Sequence, residues 1–259
     1  MPEISADGTA IHVEVEGPQD APVLMLSNSL GTNLHMWDDQ VPAFTRHFRL
    51  VRFDRRGHGG SAVPKGPYSI ERLGRDALAV MDGVGIAKVN WCGLSMGGME
   101  GTWLGANAAS RIDKLILSNT ASYFPDRTMW DGRIQLARDK GLVALVDGTI
   151  ERWFTAEFRR RSPQAVARIR EMFLSTDVEG YVGCGAAIRD MDNRSLLAKV
   201  SVPTLVIAGR HDMGTTLEAG QFIAEHIPGA ELAVLETAHI ANVEQPEAYA
   251  DTVLEFLLS

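Results

Sequence analysis

Cysteine is scarce in this sequence, and its scarcity excludes two kinds of protein. The 259 residues include 2 cysteines, Cys92 and Cys184, which lie far apart in the chain. Two such residues cannot build a framework of disulfide bonds, and they lack the spacing of metal-ligating cysteines. We therefore expect neither a disulfide-stabilised domain nor a metal centre.

Excess positive charge and long apolar runs are missing as well. Acidic residues outnumber basic ones by 33 to 25, which gives a net charge of −8. That balance argues against nucleic acid or an anionic membrane surface as a partner. No apolar run approaches the length of a membrane span, and the first residues lack the basic and then apolar pattern of a secretory signal. We expect a cytoplasmic protein that binds no nucleic acid, membrane or cofactor, and a homodimer is compatible with the sequence.

Short apolar runs alternate with segments of helical periodicity along most of the chain. Residues 10–16 alternate between apolar and polar side chains, which predicts a strand with one face in water. Residues 23–26 form a continuous apolar run, which predicts a strand covered on both faces. Short, mostly apolar segments predict five further buried strands, at 50–53, 89–92, 114–117, 203–209 and 231–235. Helical patterns cover 70–84 and 246–258, with a further helical segment through 37–44. Such alternation predicts an α/β protein with a mostly parallel sheet and helices on both sides.

One long segment has no strand pattern. Residues 121–198 contain helical patterns around 130–140, 142–154, 163–174 and 178–189. The segment is too long for a loop, so we predict a helical lid over the carboxyl ends of the strands. Residues 1–120 and 199–259 then form the core. The lid holds 12 basic and 11 acidic residues, whereas the rest of the chain holds 13 and 22.

The sequence Gly93-Leu94-Ser95-Met96-Gly97 lies between a predicted strand and a helical segment. In that context Gly-x-Ser-x-Gly predicts a nucleophile elbow, a tight turn that exposes the serine at the end of a strand. A Cβ atom two residues before or two residues after the serine would clash where the strand meets the helix. Gly93 and Gly97 occupy these positions, and glycine has no Cβ. Ser95 is therefore the candidate nucleophile, although a glycine-rich turn with an incidental serine gives the same five residues.

A serine needs a base to take its proton and a carboxylate to orient that base. In an elbow fold these follow in the order serine, acid, histidine, each after a strand end. Asp212 follows the fifth buried strand and His239 follows the sixth, so they are the candidate acid and base. Asp212 as a helix cap and His239 as a packed histidine remain alternatives. His211 adjoins Asp212 too closely to bridge it to Ser95, and His211, Asp212 and His239 lack a fourth ligand for a metal site.

Two backbone N–H groups are expected to stabilise the oxyanion of the reaction. Met96, the residue after the nucleophile, supplies one, and Leu30 in the loop after the second predicted strand supplies the other. In the stretch 54–61, Arg56 and Asp54 are interpreted as a structural ion pair that braces a turn. His58 is left out of the chemistry.

These residues resemble those of the α/β-hydrolases, and within them the 3-oxoadipate enol-lactonases of aromatic catabolism. The resemblance runs nearly end to end, and six segments carry it: 27–37 around the oxyanion loop, 54–59, 93–98, 151–155, 177–181 and 239–246. The segments 54–59 and 93–98 are common to the superfamily, whereas 151–155, 177–181 and 239–246 resemble the lactonases. The chain departs from the pattern after Asp212, where an expected proline is missing, and at 123–127, which is bulkier than typical. Both places flank the expected cavity.

The resemblance implies that the substrate is a carboxylated enol-lactone, opened through an acyl-enzyme. Because the lid is about neutral on an acidic protein, it can present a cation to such a substrate. Arg133, close to Trp130 in the first lid helix, is the predicted anchor, and Trp153 is the predicted apolar wall. The alternatives are a broader carboxylesterase, a carbon–carbon bond hydrolase, and a binding protein without catalysis.

Overall fold

The computed structural model describes residues 4–259, so the first three residues of the predicted 1–120 core segment lie outside the described part. Residues 4–259 form nine strands and twelve α-helices. The strands are β1 (Ile4–Ala6), β2 (Thr9–Ile11), β3 (Val13–Glu16), β4 (Val23–Ser27), β5 (Arg49–Phe53), β6 (Val89–Leu94), β7 (Ile112–Ser118), β8 (Thr204–Gly209) and β9 (Glu231–Leu235). The helices are α1 (Val41–Phe44), α2 (Ile70–Gly83), α3 (Met96–Asn107), α4 (Thr128–Lys140), α5 (Val143–Trp153), α6 (Ala156–Arg161), α7 (Pro163–Leu174), α8 (Val178–Asp190), α9 (Arg194–Leu197), α10 (Leu217–His226), α11 (Ala241–Glu244) and α12 (Pro246–Leu258).

Seven strands form one sheet in the order β3-β5-β4-β6-β7-β8-β9. Strand β3 runs antiparallel to β5, and every other neighbouring pair is parallel. Strands β1 and β2 form a separate antiparallel hairpin. The predicted α/β fold with a mostly parallel sheet is therefore confirmed. The carboxyl ends of β4, β6, β7, β8 and β9 lie at one edge, where parallel strands place their following loops together.

Apolar side chains cover both faces of the sheet because neighbouring residues of a strand point to opposite sides. In β4, Leu24 and Leu26 pack in one core cluster and Met25 packs in the other. In β6, Cys92 belongs to the first cluster and Trp91 to the second. The mostly apolar sequence of these strands is thus explained by burial on two faces.

Two strand predictions need correction. The predicted strand 10–16 is two strands, because His12 leaves the ladder: its N–H donates to Ser61 Oγ at 2.9 Å and its carbonyl accepts from Asp54 N at 3.0 Å. The sixth predicted buried strand, β9, is an edge strand that is half-exposed or exposed along its length. Its partner β8 covers one edge of it, and no strand of the described chain covers the other.

Helices fill the segment between β7 and β8, as predicted, and we call residues 121–198 the insertion. It contains α4 to α9, of which α6 and α9 are not predicted from the sequence. Outside the insertion, α10, α11 and strand β1 are not predicted either. An isolated bridge between Tyr123 and Asp192 joins the two ends of the insertion. The helical segment predicted through 37–44 is two short pieces, a 3₁₀ turn at Leu34–Trp37 and α1. No helix in residues 4–259 is long and apolar enough to cross a bilayer.

Candidate active site

Ser95 occupies a strained turn between β6 and α3, with φ 58° and ψ −112°. The turn is possible because Gly93 and Gly97, two residues before and two residues after Ser95, have no side chain. A Cβ atom on Gly93 would lie 2.0 Å from Gly97 O, and one on Gly97 would lie 2.3 Å from Ser27 O. The backbone of Ser95 is also fixed from outside the turn, since its N–H donates to Ser118 O at 2.8 Å. The turn places Ser95 at the carboxyl edge of the sheet, as the sequence predicts.

Asp212 and His239 lie in contact in the loops after β8 and β9. His239 Nδ1 is 2.7 Å from Asp212 Oδ2, and both residues are buried. The other carboxylate oxygen of Asp212 accepts from the N–H groups of Gly214 at 2.8 Å and Thr215 at 3.0 Å. Burial would raise the pKa of Asp212, but the positive charge of His239 and hydrogen bonds from His239 and Thr215 outweigh it and lower the pKa. The carboxylate is thus held ionised against the ring.

Two further side chains hold this pair, and the sequence analysis missed both roles. Thr215 Oγ1 donates to Asp212 Oδ2 at 2.7 Å. Asn119, which adopts a positive φ of 43° after β7, donates from Nδ2 to Asp212 Oδ2 at 3.2 Å and to Ala238 O at 3.0 Å. Its position after a strand end was the signal that could have found it.

The insertion contacts the His239 loop directly. The carbonyl of Trp153, the last residue of α5, accepts from the N–H groups of His239 and Ile240, each at 3.1 Å. The Trp153 ring stacks near the imidazole, with centroids 6.3 Å apart and planes 25° apart. Glu244 adds a second link, because it accepts from Ala238 N at 2.9 Å and from Thr155 Oγ1. The end of α5 therefore fixes the position of the imidazole.

One cavity gathers the predicted residues. It has an empty volume of about 620 Å³, part of which is open to solvent, and Ser95, Asp212, His239 and Leu30 line it. The remaining walls are largely apolar and come mostly from the insertion: Met99, Phe124, Met129, Trp130, Trp153, Phe173, Tyr181 and Ile188. Within the described chain no hydrogen bond joins Ser95 to His239; such bonds often form only when substrate binds. The Met96 side chain is fully buried away from this cavity.

Two arginines of the insertion also line the cavity. Arg133, the predicted anchor, donates to Tyr181 Oη at 2.7 and 3.1 Å and to Thr149 Oγ1 at 3.1 Å, and its guanidinium lies 5.6 Å from the Trp130 ring centroid. Arg152, which the sequence analysis did not select, has no hydrogen-bond or salt-bridge partner among residues 4–259. Burial, followed by the positive charge of Arg133, lowers the pKa of Arg152. The cavity therefore contains two cations and no carboxylate paired with either.

The interpretation of Arg56 and Asp54 as an ion pair is wrong. Arg56 pairs with Asp76 of α2, through Nε at 2.5 Å and Nη2 at 2.7 Å. Asp54 instead accepts from the N–H groups of Leu34 at 2.7 Å and Gly60 at 2.8 Å. The partner of Arg56 lies 20 residues away on a helix, which local sequence does not reveal.

His211, the rival base, points away from the cavity. Its Nε2 lies 3.3 Å from a Glu236 carboxylate oxygen, and about half of its side chain is exposed. In the part of the chain that the structure describes, no group of three or more His, Cys, Asp or Glu side chains is placed to hold a metal ion.

The chain is similar to known proteins in sequence and in structure. A family model described as alpha/beta hydrolase fold matches residues 22–246. The chain is 40% identical to 3-oxoadipate enol-lactonase 2 of Acinetobacter baylyi over 250 residues, which are 96% of this chain and 94% of that protein. It is 35% identical to 3-oxoadipate enol-lactonase 1 of the same organism, over 97% of this chain and 94% of that one. The crystal structure of an enol-lactonase from Burkholderia xenovorans superposes with a TM-score of 0.98 at 44% identity, and all of both chains is covered.

Proposed function

Since the chain belongs to the α/β-hydrolase family, we propose that it is a serine hydrolase that opens a small lactone or ester. The preferred substrate is a carboxylated enol-lactone, most specifically 3-oxoadipate enol-lactone. The observation that carries this proposal is the Asp212–His239 pair, 2.7 Å apart, on the same cavity as the strained Ser95. The named activity of the relatives supports the choice of substrate.

The reaction follows from the chemistry of the three side chains. His239 Nε2 takes the proton of Ser95 Oγ, and Oγ attacks the lactone carbonyl to form a tetrahedral oxyanion. The carbonyl re-forms as the ring C–O bond breaks, and His239 returns the proton to the leaving enol oxygen. Water, deprotonated by His239, then attacks the acyl-enzyme and releases the free acid and Ser95. Asp212 stabilises the imidazolium that forms in both steps, and its lowered pKa keeps it ionised for that purpose.

Backbone N–H groups of Leu30 and Met96 serve as the oxyanion donors. Leu30 lines the cavity, and Met96 is the first residue of α3, where N–H groups have no partner within the helix. Met96 follows Ser95 directly, so its N–H is carried to the nucleophile by the same turn.

Residues 121–198 act as a lid that forms the substrate-facing walls. A carboxylated substrate approaches a protein with net charge −8, so it needs a local cation to enter an apolar cavity. Arg133 and Arg152 supply two, and Trp130 and Trp153 provide flat apolar surface around the ring. The cytoplasmic location and the homodimer remain predictions from the sequence.

Two substrates measured side by side test this function. Hydrolysis of the enol-lactone is followed as loss of its ultraviolet absorbance, and an activated acetate ester gives a colour assay for neutral substrates. We expect turnover of both, with a higher kcat/KM for the lactone. Ser95→Ala removes a single hydroxyl, and we expect the rate to fall about a millionfold, as for loss of a triad serine. Folding of the variant is checked by circular dichroism.

Each of the other outcomes would support a different function or refute the proposed nucleophile. Hydrolysis of the neutral ester alone indicates a broader carboxylesterase. Cleavage of a vinylogous diketone in place of either indicates a carbon–carbon bond hydrolase. Binding of the lactone without turnover indicates a binding protein, and near-normal activity of Ser95→Ala refutes the nucleophile.

A further inference from the structure

His58 lies outside the predicted chemistry, yet it touches the loop that carries the Leu30 donor. Its Nε2 accepts the N–H of Gly31 at 3.0 Å. His58 is fully buried, on the loop that follows β5, and no carboxylate among residues 4–259 pairs with it. His58 thus accepts a hydrogen bond from the backbone of Gly31, the residue that follows the proposed oxyanion donor.

In the loop 29–32, three of the four backbone N–H groups have a hydrogen-bond acceptor. Ser29 N donates to Met36 Sδ at 3.4 Å, Gly31 N to His58 at 3.0 Å, and Thr32 N to Ser29 O at 3.3 Å. Within these four residues, all in the described part of the chain, Leu30 is left without an acceptor. A buried N–H group without an acceptor is costly. A bound oxyanion can supply the acceptor that the Leu30 N–H lacks.

The carbonyl groups of the same loop are held from the opposite side. Arg55, fully buried, donates to Asn28 O at 2.7 Å and to Ser29 O at 3.1 Å. Arg55 is in turn fixed by Glu100 of α3, with Nε and Oε1 3.0 Å apart. The peptide between Ser29 and Leu30 is thus oriented by its carbonyl, and the next peptide, between Leu30 and Gly31, is oriented by its N–H.

The contact with Gly31 requires a neutral imidazole. Nε2 can accept only when it carries no proton, and the proton then sits on Nδ1, which lies 3.4 Å from Arg56 O. Burial, and then the positive charge of Arg55, lower the pKa of His58 to about 3. His58 therefore remains a hydrogen-bond acceptor at neutral pH.

We propose that His58 is a positioning residue that orients the Leu30 N–H toward the oxyanion by holding the N–H of Gly31. It touches neither substrate nor Ser95, and it acts through the backbone of 30–31. This role rests on the proposed function, because a free N–H at Leu30 has a use only if an oxyanion forms beside Ser95.

Three variants separate positioning from stability. His58→Leu fills a similar volume and removes the acceptor, whereas His58→Gln places an amide oxygen near the position of Nε2. Val80→Ala, in the core cluster on the other face of the sheet, serves as a control for general destabilisation. If His58→Leu does not fold, His58→Asn replaces it, since its shorter amide does not reach Gly31.

With the neutral activated ester, we expect His58→Leu to lower kcat roughly ten- to a hundredfold, somewhat less than deletion of an oxyanion donor, while KM changes less than about threefold. The inhibition constant of a boronic acid, which forms a tetrahedral adduct on the serine, should rise in parallel with the loss of kcat. His58→Gln should retain most of the activity, and Val80→Ala should lower the melting temperature with kcat unchanged.

The outcomes are distinguishable from a failure of the proposed function. If the wild-type protein hydrolyses neither substrate, the proposed function fails. If it does and His58→Leu keeps its kcat and boronic acid affinity, the positioning role is refuted. Equal losses in His58→Leu and His58→Gln, with KM and kcat changing together, would show that His58 is needed for structure alone.

Discussion

Removal of the unpaired arginine in the cavity is a sharp test of carboxylate recognition. Arg152 and Arg133 lie in one cavity, but only Arg133 is engaged, through Tyr181 and Thr149. Arg152→Met keeps an apolar stem of similar length and deletes a charge that has no partner among residues 4–259. Its effects should therefore arise from lost ligand contacts, since no internal hydrogen bond or salt bridge is broken.

The magnitude follows from burial and charge. A hydrogen bond to a charged group contributes about 1.5–3 kcal/mol when well buried. Arg152 is half-buried, so solvent screening places it at the low end. We expect kcat/KM for a carboxylated lactone to fall about tenfold, which corresponds to about 1.4 kcal/mol. For the neutral activated ester it should change less than about twofold.

Two further variants complete the comparison. Arg138→Met removes the same charge from an exposed position on α4 and controls for long-range attraction of the anion. Arg133→Met should lower kcat/KM for the lactone by ten- to a hundredfold, with a smaller loss on the neutral ester because Tyr181 loses its partner. The melting temperature of Arg152→Met should stay unchanged or rise, since the repulsion between two cations is relieved. Equal losses of Arg152→Met on both substrates, or no loss on either, would refute carboxylate recognition by this residue.

Two other predictions concern the triad and the buried histidine. Asp212→Asn should lower kcat by roughly four orders of magnitude with KM nearly unchanged, because the amide favours the wrong tautomer of His239. Asp190→Asn, on the exposed surface, is the control. Normal activity of Asp212→Asn would refute Asp212 as the acid of the triad. The pKa of His58 is lowered from 6.5 to about 3 on folding, so the unfolded chain binds a proton that the folded chain does not. As pH falls from about 6 to 4, the wild-type protein should lose about 1.4 kcal/mol of unfolding free energy per pH unit relative to His58→Gln. Urea denaturation at several pH values measures the free energy of unfolding of both proteins. The same dependence on pH in the wild-type protein and in His58→Gln would contradict the prediction.

The elements predicted best from sequence are those fixed by local pattern. The buried strands β4 to β8 are predictable because strands covered on two faces are mostly apolar in sequence. Ser95, Asp212 and His239 were found because each follows a strand end, and a parallel sheet brings those ends to one edge. Their approach to one cavity is seen in the structure, and their roles remain a proposal.

The residues that sequence missed depend on partners distant in the chain. Arg56 pairs with Asp76 and not with its neighbour Asp54. Asn119 supports Asp212 through an amide donor at a positive φ, which composition does not reveal. Arg152 stands beside Trp153 in sequence, but its lack of a partner is a property of three-dimensional packing alone.

The two hydrogen bonds from the His239 loop to the Trp153 carbonyl restrict how this protein can diverge. They make the end of α5 part of the support of the imidazole, so the insertion is not an exchangeable module. A chimera that takes its whole insertion from a relative must reproduce the backbone position of Trp153, and the contact of Thr155 with Glu244, to keep its turnover. Helix α4 has no such attachment to the His239 loop among the hydrogen bonds of residues 4–259. Changes of substrate preference are therefore expected to accumulate along α4, while the junction of α5 and α6 changes slowly.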